Sequence, residues 1–205
     1  MDFDNIIRSR RSCRNFKSKK ISYQNILDIV EAGIWAPSSG GSAPWKFKIV
    51  DSCESIDRLY SLIADVNYQK KRVNRSNISE KELRDRFETY ISGIRTAPVH
   101  IICYYDEQHM IDLFHGGNAK DYQDDRIYAP SYTNAIDLAI ENMMLKATEL
   151  GLGSLYLVTG VLDPKKLNKL FNLPNTLIPI TIIPLGYPKF IESGEFRSVE
   201  DFLIQ

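Results

Sequence analysis

Read for its apolar spacing, the chain divides into amphipathic helices and short apolar strands. Phe3, Ile6 and Ile7 share one helical face, and Asp2 stands where it caps that helix. Ser22 is placed to cap a second helix, with Ile26, Val30, Gly33 and Ile34 at helical spacing and Pro37 as its stop. Residues 46–50 alternate, with Phe47 and Ile49 on one side, and predict a strand. Ser52 opens a helix carrying Ile56, Leu59, Tyr60, Ile63 and Val66, after which the polar, basic residues 67–77 read as a surface loop. Ser79-Glu80-Lys81-Glu82 is a capping box. Leu83, Phe87, Tyr90 and Ile91 follow it along one face, a stripe suited to a core or a subunit contact. Residues 99–105 are continuously apolar, as in a strand buried on both faces.

The second half is less regular at first. Residues 106–131 show the weakest periodicity in the chain and read as a long excursion that covers a substrate or touches a second subunit. His109, Asp112 and His115 lie in it, but their spacing fits no standard metal site and no metal is expected. His100, in the apolar strand, reads as a core or edge residue. Ser131 or Thr133 is placed to cap the longest helix, whose apolar side runs through Ile136, Ala139, Ile140, Met143, Met144, Ala147 and Leu150 to a stop at Gly151. Residues 154–158 predict a strand, Asp163-Pro164 opens a short helix with Leu167 and Leu170, and residues 181–187 predict a last core strand. The tail ends on Val199, Phe202 and Leu203, apolar enough to need a partner surface. No repeat, low-complexity tract or linker interrupts the chain, which predicts a single domain over residues 1–205.

Composition narrows the partners. The 26 basic residues match the 26 acidic ones, so no global field draws the protein to nucleic acid or to an anionic membrane. Cys13, Cys53 and Cys103 are scattered, without a Cys-x-x-Cys pair, which argues against a disulfide framework or a zinc site and suits a reducing, cytoplasmic compartment. The first residues are polar, unlike a secretory signal, and the apolar run at 177–185 is too short and proline-broken to span a bilayer.

Against that neutral background, Arg8-Ser9-Arg10-Arg11-Ser12-Cys13-Arg14-Asn15-Phe16 concentrates four arginines and two serines in nine positions. Guanidinium groups grip phosphate bidentately, and serine hydroxyls add neutral donors. Residues 36–45 form a loop of small residues between two prolines, where a ligand approaches the backbone closely. The chain has no Gly-x-Ser-x-Gly elbow, no phosphate-binding Gly-rich loop before a helix, and no His-Glu-x-x-His. An anion clamp without a catalytic kit points to a phosphate-bearing cofactor that carries the chemistry itself.

Arg10-Arg11-Ser12-Cys13-Arg14-Asn15-Phe16 resembles the opening motif of the nitroreductase family of FMN-dependent oxidoreductases. Ala36-Pro37-Ser38-Ser39 through Pro44-Trp45-Lys46-Phe47 is similar to its second signature. Glu149-Leu150-Gly151-Leu152-Gly153 resembles the end of its central helix, and Ile183-Pro184-Leu185-Gly186-Tyr187-Pro188 its late strand and turn. The resemblance implies an α+β fold with a mostly antiparallel central sheet flanked by helices. It also implies an intertwined homodimer with FMN at the subunit interface. Arg10, Arg11, Ser12 and Arg14 would hold the phosphate, ribityl chain and pyrimidine edge, and Arg197 would join them on the phosphate. Pro37, Ser38 and Ser39 would line the flavin from the second subunit, beside Gly41, and Thr159 and Gly160 would face the ring. Arg8 is left as a solvated residue.

Two departures stand out. Gly41 and Ala43 occupy positions where the family commonly has Asn and Gln, a loss of about 1 kcal/mol of hydrogen bonding that widens the pocket. Val158 stands near where some members carry an acidic residue. The implied function is reduction of a nitroaromatic, quinone or similar small acceptor by NAD(P)H, in ping-pong order through flavin N5. A specialised FMN dehydrogenase of a biosynthetic pathway, or a flavin-storing or flavin-sensing protein, is the alternative. No protein side chain is expected to carry the chemistry.

Overall fold

β2 (Val99–Asp106) organises the molecule, because its residues from Val99 to Tyr105 are all buried and its two faces serve two cores. Side chains alternate along a strand. Val99, Ile101 and Cys103 therefore enter one apolar cluster, and Ile102 and Tyr104 the other. The computed structural model describes residues 2–74, 79–124, 129–190, 194 and 198–204. β1 (Trp45–Val50) pairs antiparallel with β2, and β4 (Leu177–Gly186) pairs antiparallel on its other side. The short β3 (Gly153–Ser154) lies outside β4, so the order is β1-β2-β4-β3.

Helices cover both faces of this sheet. α1 (Phe3–Ser9), α2 (Tyr23–Ile34) and α7 (Ala129–Glu149) lie on one face. There Ile26 and Ile29 of α2 meet Ile136, Ala139, Ile140 and Met143 of α7 over Ile101 and Ile183. On the other face are α3 (Cys53–Asn74), α4 (Glu80–Ile94) and α8 (Pro164–Leu170). Their Leu59, Ile63, Phe87, Ile91 and Leu167 pack on Ile102 and Ile182. α5 (Glu107–His115) and α6 (Ala119–Asp124) follow the end of β2. This is the expected α+β architecture. The side-chain caps of Asp2, Ser22, Ser79 and Asp163 all accept the backbone N–H three residues on.

Several expectations need correction. The stretch 67–77 is not a loop as far as Asn74. α3 runs to that residue through Gln69, Lys70, Lys71 and Arg72, good helix formers with no breaker among them. At 22 residues, α3 is one longer than the 21-residue α7. The excursion at 106–131 contains α5 and α6, because Asp106 caps α5 through the His109 N–H and Gly116, left-handed at φ 55°, ends it. α7 begins at Ala129, ahead of Ser131 and Thr133, with Pro130 in its first turn. The strand expected at 154–158 shrinks to Gly153–Ser154 plus an isolated bridge at Leu157. Pro184 stands opposite Leu155 in that register and has no N–H to give, so the ladder opens there. β4 itself starts at Leu177, earlier than the expected 181.

His100 is fully buried on β2, with its Nε2 3.0 Å from the Tyr60 hydroxyl. Burial pushes its pKa down to about 3. An unfolded histidine takes its proton near pH 6.5, so in acid the unfolded chain binds a proton that the folded chain refuses. The associated stability is present above pH ~6.5 and is lost as pH falls from there toward 3, at up to about 1.4 kcal/mol per pH unit. Denaturant melts between pH 7 and 4 are expected to show this slope, and His100→Gln to flatten it.

Candidate functional site

The arginine segment is built as an extra strand. α1 ends at Ser9, and Ser12 then bridges in parallel to Ser154 while the Cys13 N–H donates to the Ser154 carbonyl at 2.8 Å. Phe16, fully buried, bridges Pro188, and the Lys17 N–H donates to the Tyr187 carbonyl at 2.8 Å. Cys13 turns inward, so alternation places Ser12 and Arg14 together on the opposite side. The fit over Gly153 is tight: a Cβ there would lie 2.6 Å from the Cys13 Cβ.

Around this segment the charges are held in place. Arg10 Nε lies 3.6 Å from Glu141 Oε1 on α7. Arg11 Nη1 donates to the Arg10 carbonyl at 2.7 Å, and Arg14 Nη1 to the Ser12 carbonyl at 3.3 Å. Arg8 is exposed. Gly194 sits so close to the Arg11 guanidinium that any Cβ there would collide with it. Arg197, three residues on, lies outside the described residues. A cavity of about 150 Å³ opens beside Ser9, Arg11, Ser12, Arg14, Leu152 and Phe190. Complete small-molecule sites span roughly 300–1,000 Å³, so this cavity suits only one end of a cofactor. Arg11 Nε and Ser154 Oγ are buried without a hydrogen-bond partner among the described residues. Unmatched donors beside a cluster of arginines fit a ligand bearing phosphate and hydroxyl groups, as FMN does.

The other expected residues lie elsewhere. Pro37, Ser39 and Gly41 are exposed and do not line the cavity. Their loop is held shut from within: Ser38 Oγ accepts the Ala43 N–H at 2.9 Å, and His109 Nε2 lies 2.7 Å from the Ser42 carbonyl. Gly41 takes φ 69° with open space around its Cα, and Ala43 takes φ 45°, a strained value for a residue with a side chain. Thr159 and Gly160 occupy a 3₁₀ turn at Val158–Val161 that follows the arginine segment's partner strand. One residue that pattern reading missed fixes this turn. Asn67 is buried, and its Nδ2 donates to the Thr159 carbonyl at 2.8 Å and to the Ile63 carbonyl at 2.9 Å. Its place one turn after Ile63, on the stripe through Val66, was the available signal. Among the described residues no group of three His, Cys, Asp or Glu side chains is arranged to hold a metal, and no helix is long and apolar enough to cross a membrane.

The chain is also similar to known proteins. The sequence model of the Nitroreductase family matches residues 7–187. A Bacillus subtilis protein assigned as an NAD(P)H nitroreductase, YfhC, is 27% identical over 183 residues, which cover 89% of this chain and 82% of that one. The 5,6-dimethylbenzimidazole synthase of Rhodospirillum rubrum is 24% identical over 187 residues, 91% of this chain and 82% of that protein. Among solved structures, a nitroreductase with bound FMN from Bacteroides fragilis superposes with a TM-score of 0.69 at 22% identity, covering 98% of this chain and 97% of that one.

The contact of Cys13 with Gly153 is directly testable. Gly153→Ala is expected to push residues 12–14 off β3, costing about 1–3 kcal/mol in a chemical melt and weakening FMN uptake in a flavin titration.

Proposed function

The chain belongs to the nitroreductase family, and from that premise we propose that it is an FMN-dependent oxidoreductase in which NAD(P)H reduces a small acceptor such as a nitroaromatic or a quinone. The observation that carries this reading is the arginine segment locked to Ser154, with unpaired Arg11 Nε and Ser154 Oγ beside it. Bound there, FMN would supply hydride chemistry at its N5 in two half-reactions, first from the nicotinamide and then to the acceptor. Arg10, Arg11, Ser12 and Arg14 neutralise the phosphate and hold the ribityl chain and pyrimidine edge, with Arg197 from the tail as a further cation. The turn at Thr159 and Gly160, anchored by Asn67, presents the face toward the ring.

The second wall comes from a second copy of the chain. The exposed loop of Pro37, Ser38, Ser39 and Gly41 lines the flavin of the partner protomer in this reading. A homodimer also accounts for apolar side chains left in water on α1, α2 and the tail. Trp35 is 79% exposed, and Phe3, Ile34, Val199, Phe202 and Leu203 are all more than half exposed. Residues 1–205 act as one domain of that dimer, and the three free cysteines suit a cytoplasmic setting.

A specialised biosynthetic dehydrogenase is the second reading. The open space at Gly41, where an Asn would stand in relatives, favours it by enlarging the room beside the ring. One experiment sorts the classes. Purified protein is expected to be yellow, and anaerobic NADH or NADPH to bleach its flavin, with colour restored by a nitroaromatic or quinone. Bleaching without reoxidation by either acceptor selects the dedicated biosynthetic enzyme. Bound flavin that neither nicotinamide reduces selects storage or sensing, and protein that binds no FMN removes the proposal.

A further inference from the structure

Tyr156 does not line the cavity beside the arginines, and no motif marks it, yet its place in the chain ties it to that region. It stands between Ser154, which pairs with Ser12, and the turn at Thr159 and Gly160. Leu155 and Leu157 turn into the core, whereas Tyr156 is 37% exposed. Alternation along the extended segment therefore puts the phenol ring on the open side. Leu157 exchanges N–H···O bonds with Ile182 in both directions. The backbone groups of Tyr156 consequently point to the other edge, the one that Ser12 and Cys13 occupy two residues earlier.

The ring is also held from behind. Tyr156 Oη donates to Asp137 Oδ1 at 2.7 Å. Asp137 precedes Glu141 by four residues on α7, and Glu141 faces Arg10. Two carboxylates one helical turn apart, about 5–6 Å, thus fix a phenol and a guanidinium side by side. Partial burial, and then the bond to Asp137, push the phenol pKa up, so the ring stays neutral and keeps its donor on the carboxylate.

We propose that Tyr156 is a further cofactor-contacting residue, with its ring packed against the isoalloxazine of bound FMN, and that Asp137 is its positioning residue. This rests on the FMN reading of the site. A phenol in contact with an excited flavin quenches its emission by giving up an electron and taking it back. Contact therefore has an optical signature that is independent of turnover.

The test titrates FMN into purified, flavin-free protein while flavin emission is followed. Wild-type complex is expected to be dim. Tyr156→Phe keeps a ring but not the readily oxidised phenol, so it binds with similar affinity and emits brightly. Tyr156→Leu emits brightly and binds about tenfold more weakly, the scale of one aromatic contact. Asp137→Ala brightens the wild-type complex and changes nothing in the Tyr156→Leu background. Tyr156→Leu with wild-type affinity and emission overturns the proposal while leaving FMN binding intact. An equal effect of Asp137→Ala in both backgrounds overturns its positioning role. Wild-type protein that takes up no FMN overturns the reading beneath both.

Discussion

The candidate site depends on one pairing, the parallel bridge between Ser12 and Ser154 with the Cys13 N–H on the Ser154 carbonyl. Four arginines in a free segment would repel one another and sample many conformations. Ordering a residue costs on the order of 1–2 kcal/mol of backbone entropy. Here that cost is met by strand pairing and by burying Cys13 and Phe16. The buried anchors Cys13 and Phe16 are thus interleaved with the polar residues Ser12, Arg14 and Asn15 along one short segment. Gly153 is the condition for this arrangement, because the anchored strand passes where its side chain would be.

Around that pairing the chain keeps like charges close without neutralising them fully. Arg10 leans on Glu141, but the pair is largely exposed, and exposed ion pairs contribute little, roughly 0–1 kcal/mol. Arg11 and Arg14 each donate to a backbone carbonyl, which orients the guanidinium groups without neutralising them. In the proposed reading a dianionic phosphate adds to these contacts. The cavity beside them is too small for a whole flavin, and the small-residue loop does not line it. A site split between two copies reconciles the two facts, and it gives the exposed apolar surfaces of α1, α2 and the tail a role.

Much of this was legible before the fold was known, and what was legible was local. The caps of α1, α2, α4 and α8 announce themselves because cap and capped N–H are three residues apart. β2 is plain because burial on both faces needs an unbroken apolar run. The arginine cluster was visible in composition, and the family resemblance separated Arg10, Arg11 and Arg14 from the exposed Arg8. What stayed hidden depends on distant partners. β3 is short because of Pro184, about thirty residues later and opposite Leu155 only once the register exists. Asn67 was placed in a loop because its partner, the Thr159 carbonyl, is 92 residues away. The bond between Tyr156 and Asp137 joins two exposed residues 19 apart, and no periodicity marks such a pair. α5 and α6 escaped notice because they are short and separated by Gly116 and Gly117.

The central claim is that two copies of this chain together hold FMN through the residue 10–14 strand of one and the residue 37–41 loop of the other. Native mass spectrometry of the purified protein tests it most directly. The account predicts a dimer carrying two FMN molecules, and flavin-free monomer once the dimer is dissociated. A monomer that retains FMN, or a dimer that carries none when FMN is supplied, would contradict it.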